Sequence, residues 1–281
     1  MPESPGAGAT MAGSKMTATT MPVAQMLEID ALARRFGGLA ALDGASFAVA
    51  RGRITGLIGP NGAGKTTLFN CVSGMLSPSA GRVRFDGEDV TGLAPEHIVA
   101  RGLVRTFQVA RGFARMTVFE HLLLYGQHQP GERLVRALWP GRAAREHEHA
   151  LAERAWQVAR RLKLDGVADR LVTQVSGGQK KLLEIGRALM AEPRMILLDE
   201  PMAGVNPSLR LEIAEHLARL RADGMTLLLI EHDMALIRAL SDEVIVMAQG
   251  RFLARGAFAE IAADPQVQLA YLGRAPAPEA H

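Results

Sequence analysis

Residues 54 to 67 read ITGLIGPNGAGKTT. Five residues of strand character, Ile54 to Ile58, run into a glycine-rich turn, and the turn opens a helical pattern from Lys65 to Gly74. Gly59, Pro60, Asn61, Gly62, Ala63, Gly64, Lys65, Thr66 and Thr67 satisfy GxxxxGK[ST] between a strand and a helix, the context that makes this pattern a phosphate-binding loop. The glycines permit backbone angles and a close approach that side chains would block, so successive N–H groups point inward at phosphate oxygens. The helix that follows adds the positive end of its dipole. Lys65 is expected to bridge the β- and γ-phosphates, and the Thr66 hydroxyl to complete a Mg²⁺ shell. The loop alone says that phosphates are bound and leaves the chemical class open.

Outward from the loop, the chain divides into an open core and an insertion. Upstream, Met26 to Ala50 alternates short apolar segments with small residues and predicts two strands; Arg82 to Phe85, before the Asp86-Gly87 turn, predicts a third. These form an antiparallel flank. Downstream, the apolar runs Met195 to Leu198, Met225 to Ile230 and Val244 to Met247 are separated by the amphipathic stretches Leu209 to Ala222 and Met234 to Leu240. Such runs read as buried parallel strands with crossover helices, an α/β architecture around a phosphate-loop core. Between about Phe113 and Leu189 strand character almost vanishes, which predicts an inserted helical subdomain, about residues 109 to 190.

Two of the downstream strands end in chemistry. MILLDEP, Met195 to Pro201, places two carboxylates at a strand exit. Alternation along a strand sends neighbours to opposite sides, so Asp199 is expected at the metal and Glu200 at the γ-phosphate and an attacking water, as general base. MTLLLIEHD, Met225 to Asp233, ends with His232 beyond its strand, where open α/β sheets hold ligands; His232 is expected to donate a hydrogen bond to the γ-phosphate and to hold Glu200 and water in register. Gln108, in VRTFQ, is the remaining candidate for positioning water and metal.

VSGGQ, Val175 to Gln179, followed by KKLLEIGRALM, resembles the signature of the ABC ATPase family, with Val175 where the family usually has Leu. Ser176, Gly177, Gly178 and Gln179 open a helix, and a hydroxyl, bare backbone and a helix end make a second anion cradle. The resemblance implies that this cradle serves the ATP held by an opposing subunit. It spans nearly the whole folded chain in the family's order: Phe36 at the adenine-stacking position, the phosphate loop, Gln108, the signature, Asp199 with Glu200, and His232. The phosphate-loop NTPase core with a β flank and helical insertion is the ABC ATPase fold. MAGVNP places Asn206 where many members carry Asp; with RTFQ, IEHDM and AYLG it resembles the larger ATPase of the branched-chain amino acid uptake system. Urea or amide importers and lipopolysaccharide-export ATPases resemble it as well. ATP and Mg²⁺ are the implied ligands. Implied partners are membrane-spanning permease subunits, a second ATPase subunit, as heteromer or homodimer, and indirectly a substrate-binding protein outside the membrane; the implied place is the cytoplasmic face of the membrane, held peripherally.

Composition limits the alternatives. The 281 residues are 48% hydrophobic, enough for a full α/β core, yet no apolar run approaches the roughly 18 residues of a membrane span. The net charge of +3 does not call for nucleic acid, and a single cysteine, Cys71, fits a reducing compartment. Soluble ABC ATPases of DNA repair or translation carry long coiled coils, zinc insertions or duplicated modules, which this sequence lacks. Residues 1–25, rich in Ala, Gly, Ser and Thr, are expected to be a disordered extension, the domain to run over 26–273, and 274–281 to form a tail. Phe113, Met116, Val118 and Phe119 read equally as subdomain core or as a groove for a helix of a membrane partner. The Glu146–His149 string does not place its histidines face to face on a helix and reads as solvated surface.

Overall fold

The computed structural model describes residues 24–106, 113–127 and 142–272. Gln108 and the two predicted tails (apart from 24 and 25) lie outside them, as does part of the expected insertion.

The long strands β1 (Gln25–Phe36) and β2 (Leu39–Ala50) pair antiparallel, and β1 pairs on its other edge with β4 (Ala80–Phe85), which carries the short β5 (Glu88–Asp89). This is the expected flank. The second sheet has the order β10-β9-β3-β8-β7-β6, with β3 (Ile54–Ile58) in the middle. Parallel ladders join β3 to β8 (Thr226–Ile230) and to β9 (Glu243–Ala248), and β8 to β7 (Met195–Asp199). Every residue of β3 and β8 is buried, as an apolar strand must be when both faces of a sheet are covered. Along β3, Ile54 and Ile58 enter one core and Leu57 the other. Alternation therefore couples the loop to both layers.

Three strands lie outside the sequence expectation, the two-residue β5 among them. The three-residue β6 (Leu103–Arg105) pairs parallel with β7, and β10 (Arg251–Gly256) pairs antiparallel with β9 at the far edge. Short or half-exposed edge strands carry little periodicity, so only pairing identifies them.

Helix α1 (Lys65–Val72) follows β3, and α2 (Pro95–Val99) precedes β6. The described part of the stretch between β6 and β7 is helical: α3 (Val118–Leu124), α4 (Arg142–Arg161) and α5 (Gly177–Met190) pack on one another, with the single bridge Thr117–Leu171 as its only strand-like pairing among the described residues. Beyond β7 come α6 (Pro207–Ala222), α7 (Met234–Leu240) after β8, and α8 (Phe258–Ala263) and α9 (Pro265–Leu272) after β10. The carboxyl ends of β3, β7 and β8 are thus adjacent, and their loops meet at one edge of the core.

Candidate functional site

A cleft of about 340 Å³ lies at that edge, lined by residues 39–41, by the loop from Asn61 to Thr67, and by Glu200 and His232. The loop's glycines have distinct duties. A Cβ on Gly59 would stand 2.1 Å from the Met247 carbonyl oxygen, and one on Gly64, where φ is +96°, would stand 2.5 Å from that of Ala41. Both places are closed by backbone. A Cβ on Gly62, where φ is +79°, meets nothing within 4 Å and would project into open space. There the missing side chain leaves room for a ligand rather than for the protein.

Lys65 is the first residue of α1 and only 7% exposed. Its Nζ donates to the carbonyl oxygens of Gly59 at 2.7 Å and Pro60 at 3.1 Å, which folds the side chain back along its own loop. Burial lowers its pKa, and the carboxylates of Glu200 and Asp199 pull the other way. An ammonium held at the cost of desolvation among acceptors suits an anionic ligand that supplies stronger ones. Thr66 is exposed to the cleft on the adjoining turn.

The two acids separate by a route other than the expected one. β7 ends at Asp199, and Glu200 adopts φ +47°, a left-handed conformation uncommon for a side-chain-bearing residue. A turn, not strand alternation, sends them apart. Glu200 Oε1 lies 2.8 Å from His232 Nε2. Asp199 Oδ2 accepts from Arg105 Nη2 at 2.7 Å, and Arg105 Nη1 donates to Asn70 of α1 at 2.5 Å. Arg105 and Asn70 had no place in the sequence reading; the only signal was a basic residue just before the TFQ string.

Phe36 closes β1 opposite Leu39 and is 47% exposed, with the Arg34 guanidinium 4.9 Å from its ring. Leu39 lines the cleft, whereas Phe36 stands beside it.

The signature residues line a different surface. Ser176 caps α5: its hydroxyl accepts from the Gln179 N–H at 3.2 Å, and its own N–H donates to Gln179 Oε1 at 2.9 Å. Ser176 and the bare backbone of Gly177 are exposed to solvent. Gly178 is buried against Leu209 of α6; a Cβ there would lie 1.7 Å from Leu209 Cδ2. None of the four lines the cleft of its own chain.

Residues 42–203 match the model of the ABC transporter family. The chain belongs to that family. It is 40% identical over 251 residues to the high-affinity branched-chain amino acid transport ATP-binding protein BraF of Pseudomonas aeruginosa, covering 89% of this chain and 98% of that protein. The same identity and coverage hold over 253 residues for a probable branched-chain amino acid transport ATP-binding protein, LivG, of Methanocaldococcus jannaschii. Among solved structures, a nucleotide-free ATP-binding cassette from an ABC transporter superposes with a TM-score of 0.78 at 39% identity, over 89% of this chain and all of that one. The ADP conformation of such a cassette gives the same TM-score and identity over 99% of its length. The fold is that of an ABC ATPase, with mixed sheets and helices around a phosphate loop.

The four residues read two ways from sequence differ in burial, and Phe119 packs against the core. Val118 is fully buried core, Met116 and Phe119 are half-buried, and Phe113 is 62% exposed.

Proposed function

We propose that this chain is the ATP-hydrolysing subunit of an ABC transporter that imports branched-chain amino acids. The observation that carries the enzymatic reading is the Glu200–His232 pair, 2.8 Å apart on the wall of the phosphate-loop cleft. The cargo follows from relatives that match over nearly their full length and are named for branched-chain amino acid transport.

In this reading the loop from Gly59 to Thr67 holds the phosphates through its amides, and Lys65 turns from the Gly59 and Pro60 carbonyls to the β- and γ-phosphates. Phe36 stacks on adenine from the β1–β2 turn. Glu200 takes the proton of the attacking water through its carboxylate, while His232 Nε2 fixes that carboxylate and the γ-phosphate side of the cleft. Thr66, Gln108 and Asp199 are the residues that would hold Mg²⁺; when bound, it neutralises charge shared by the β- and γ-oxygens. The donor set, a hydroxyl, an amide oxygen and a carboxylate, suits that hard cation. Arg105 orients Asp199 through Oδ2.

The Ser176–Gln179 cradle serves a nucleotide seated on a second ATPase subunit, since it faces away from the chain's own cleft. Closure of two such subunits drives membrane-spanning permease partners from the cytoplasmic face, and a capture protein outside delivers cargo.

Glu200→Gln removes the base and keeps the shape of the side chain. Nucleotide affinity should stay within about twofold while turnover falls by at least about a hundredfold. Wild-type turnover in this variant would remove Glu200 from the chemistry.

A further inference from the structure

Glu231 follows β8 directly, next to His232, and is only 6% exposed. No step above uses it. Its Oε1 accepts from the Met202 N–H at 3.0 Å, and Oε2 accepts from the His232 N–H at 3.3 Å. Met202 lies two residues beyond Glu200 and is itself buried. The parallel ladder between β7 and β8 ends at the pair Asp199–Ile230, and the Glu200 N–H donates to Ile230 O at 3.0 Å. Past that point the two strands diverge into separate loops. The Glu231 carboxylate continues the tie where the backbone stops. On the solvent side of the same junction stands the Glu200–His232 hydrogen bond.

The location is an expensive one for a carboxylate. Burial pushes the Glu231 pKa up, the negative Glu200 adds to that, and the two amide bonds with His232 oppose it. A buried anion held chiefly by main-chain donors stabilises the fold little, because desolvation offsets most of the hydrogen bonding. What it does supply is geometry. The Glu200 turn and the His232 turn each follow a different strand, and a displacement of about 1 Å between reacting groups costs on the order of a hundredfold in rate. A further contact, from Arg210 of α6 to Asp233 at 3.1 Å, is solvent-exposed and correspondingly weak.

We propose that Glu231 is a positioning residue for ATP hydrolysis, locking the Glu200 and His232 turns in one register through the Met202 and His232 amides. The proposal rests on the catalytic reading of Glu200 and His232 given above.

Glu231→Gln, Glu231→Ala and Glu200→Gln in the full chain test it through ATPase kcat and KM, affinity for a fluorescent ATP analogue, and thermal melting. Glutamine is isosteric and still accepts one amide hydrogen bond, but turns an NH₂ toward the other. Glu231→Gln should lower kcat about tenfold and Glu231→Ala about a hundredfold, with nucleotide affinity within about twofold of wild type. Melting in the glutamine variant should stay close to that of wild type, since the side chain keeps its volume and one of its two amide hydrogen bonds. Wild-type kcat in both Glu231 variants, alongside an inactive Glu200→Gln, would overturn the role of Glu231 and leave the catalytic reading intact. A joint fall of kcat, affinity and melting temperature in Glu231→Gln would make the residue merely structural and overturn it too. Normal turnover in Glu200→Gln would instead overturn the catalytic reading itself.

Discussion

At the scale of single residues, the chain places several ionisable groups where water would not have them, each with a different consequence. His216 on α6 is 2% exposed, and burial lowers its pKa, with Arg219 and Lys163 adding to that and Glu212 and Glu215 opposing it. The folded state therefore holds a neutral imidazole. The unfolded chain takes up a proton near its ordinary pKa of about 6.5 while the folded chain does not, so stability is full above that pH and is lost as pH falls toward the folded pKa. Melting temperature followed from pH 8 downward should drop through this window, and His216→Gln should flatten the drop. An unchanged profile would mean that His216 is protonated in the fold. Cys71 shows the same physics in a thiol: burial pushes it up to about 11, which leaves it inert and small within the core.

Among elements, the contact that gives the signature its second glycine is the start of α5 against the start of α6. Both starts are capped by side chains, Ser176 with Gln179 and Asn206 with the Leu209 N–H at 3.0 Å. Asn206 performs through its amide oxygen the cap that an aspartate would perform, so its departure from the common pattern costs the helix little. Gly178→Ala should destabilise the chain by about 1–3 kcal/mol through overpacking on Leu209, and Leu209→Ala in the same chain should recover part of that loss. Denaturant melts of the two single variants and the double variant measure this; strictly additive losses would deny the contact.

The same scale shows what could be read beforehand. The apolar runs that became β3, β7, β8 and β9 were legible because a strand covered on both faces has nowhere to place a polar residue. The phosphate loop was legible because its glycines are constrained by backbone carbonyls at Gly59 and Gly64 and by ligand space at Gly62. The edge strands β6 and β10 were not, since three residues or a half-exposed hairpin carry no period. Arg105 and Glu231 escaped notice for another reason. Each acts through a partner far along the chain, 94 positions away in Asp199 and 29 in Met202, and charge alone gives no hint of which partner it meets. The separation of Asp199 from Glu200 was expected for the wrong cause, because the left-handed turn at Glu200 has no signature in a residue type that seldom adopts it.

For the molecule as a whole, the cleft and the signature surface are separate faces connected through the backbone. Glu200 follows one strand, Glu231 and His232 follow the next, and the segment between Glu200 and α6 leads to the helix that supports Gly178. The residues that line the cleft thus continue through the backbone to the signature surface. No helix of the described residues is long and apolar enough to cross a membrane. The measurement that tests this account most directly is ATP hydrolysis by the chain assembled with its permease subunits in vesicles, with and without leucine and the capture protein. The account predicts hydrolysis that rises when leucine and its carrier are both present and that vanishes with Glu200→Gln; brisk hydrolysis indifferent to leucine and its carrier would contradict the branched-chain assignment.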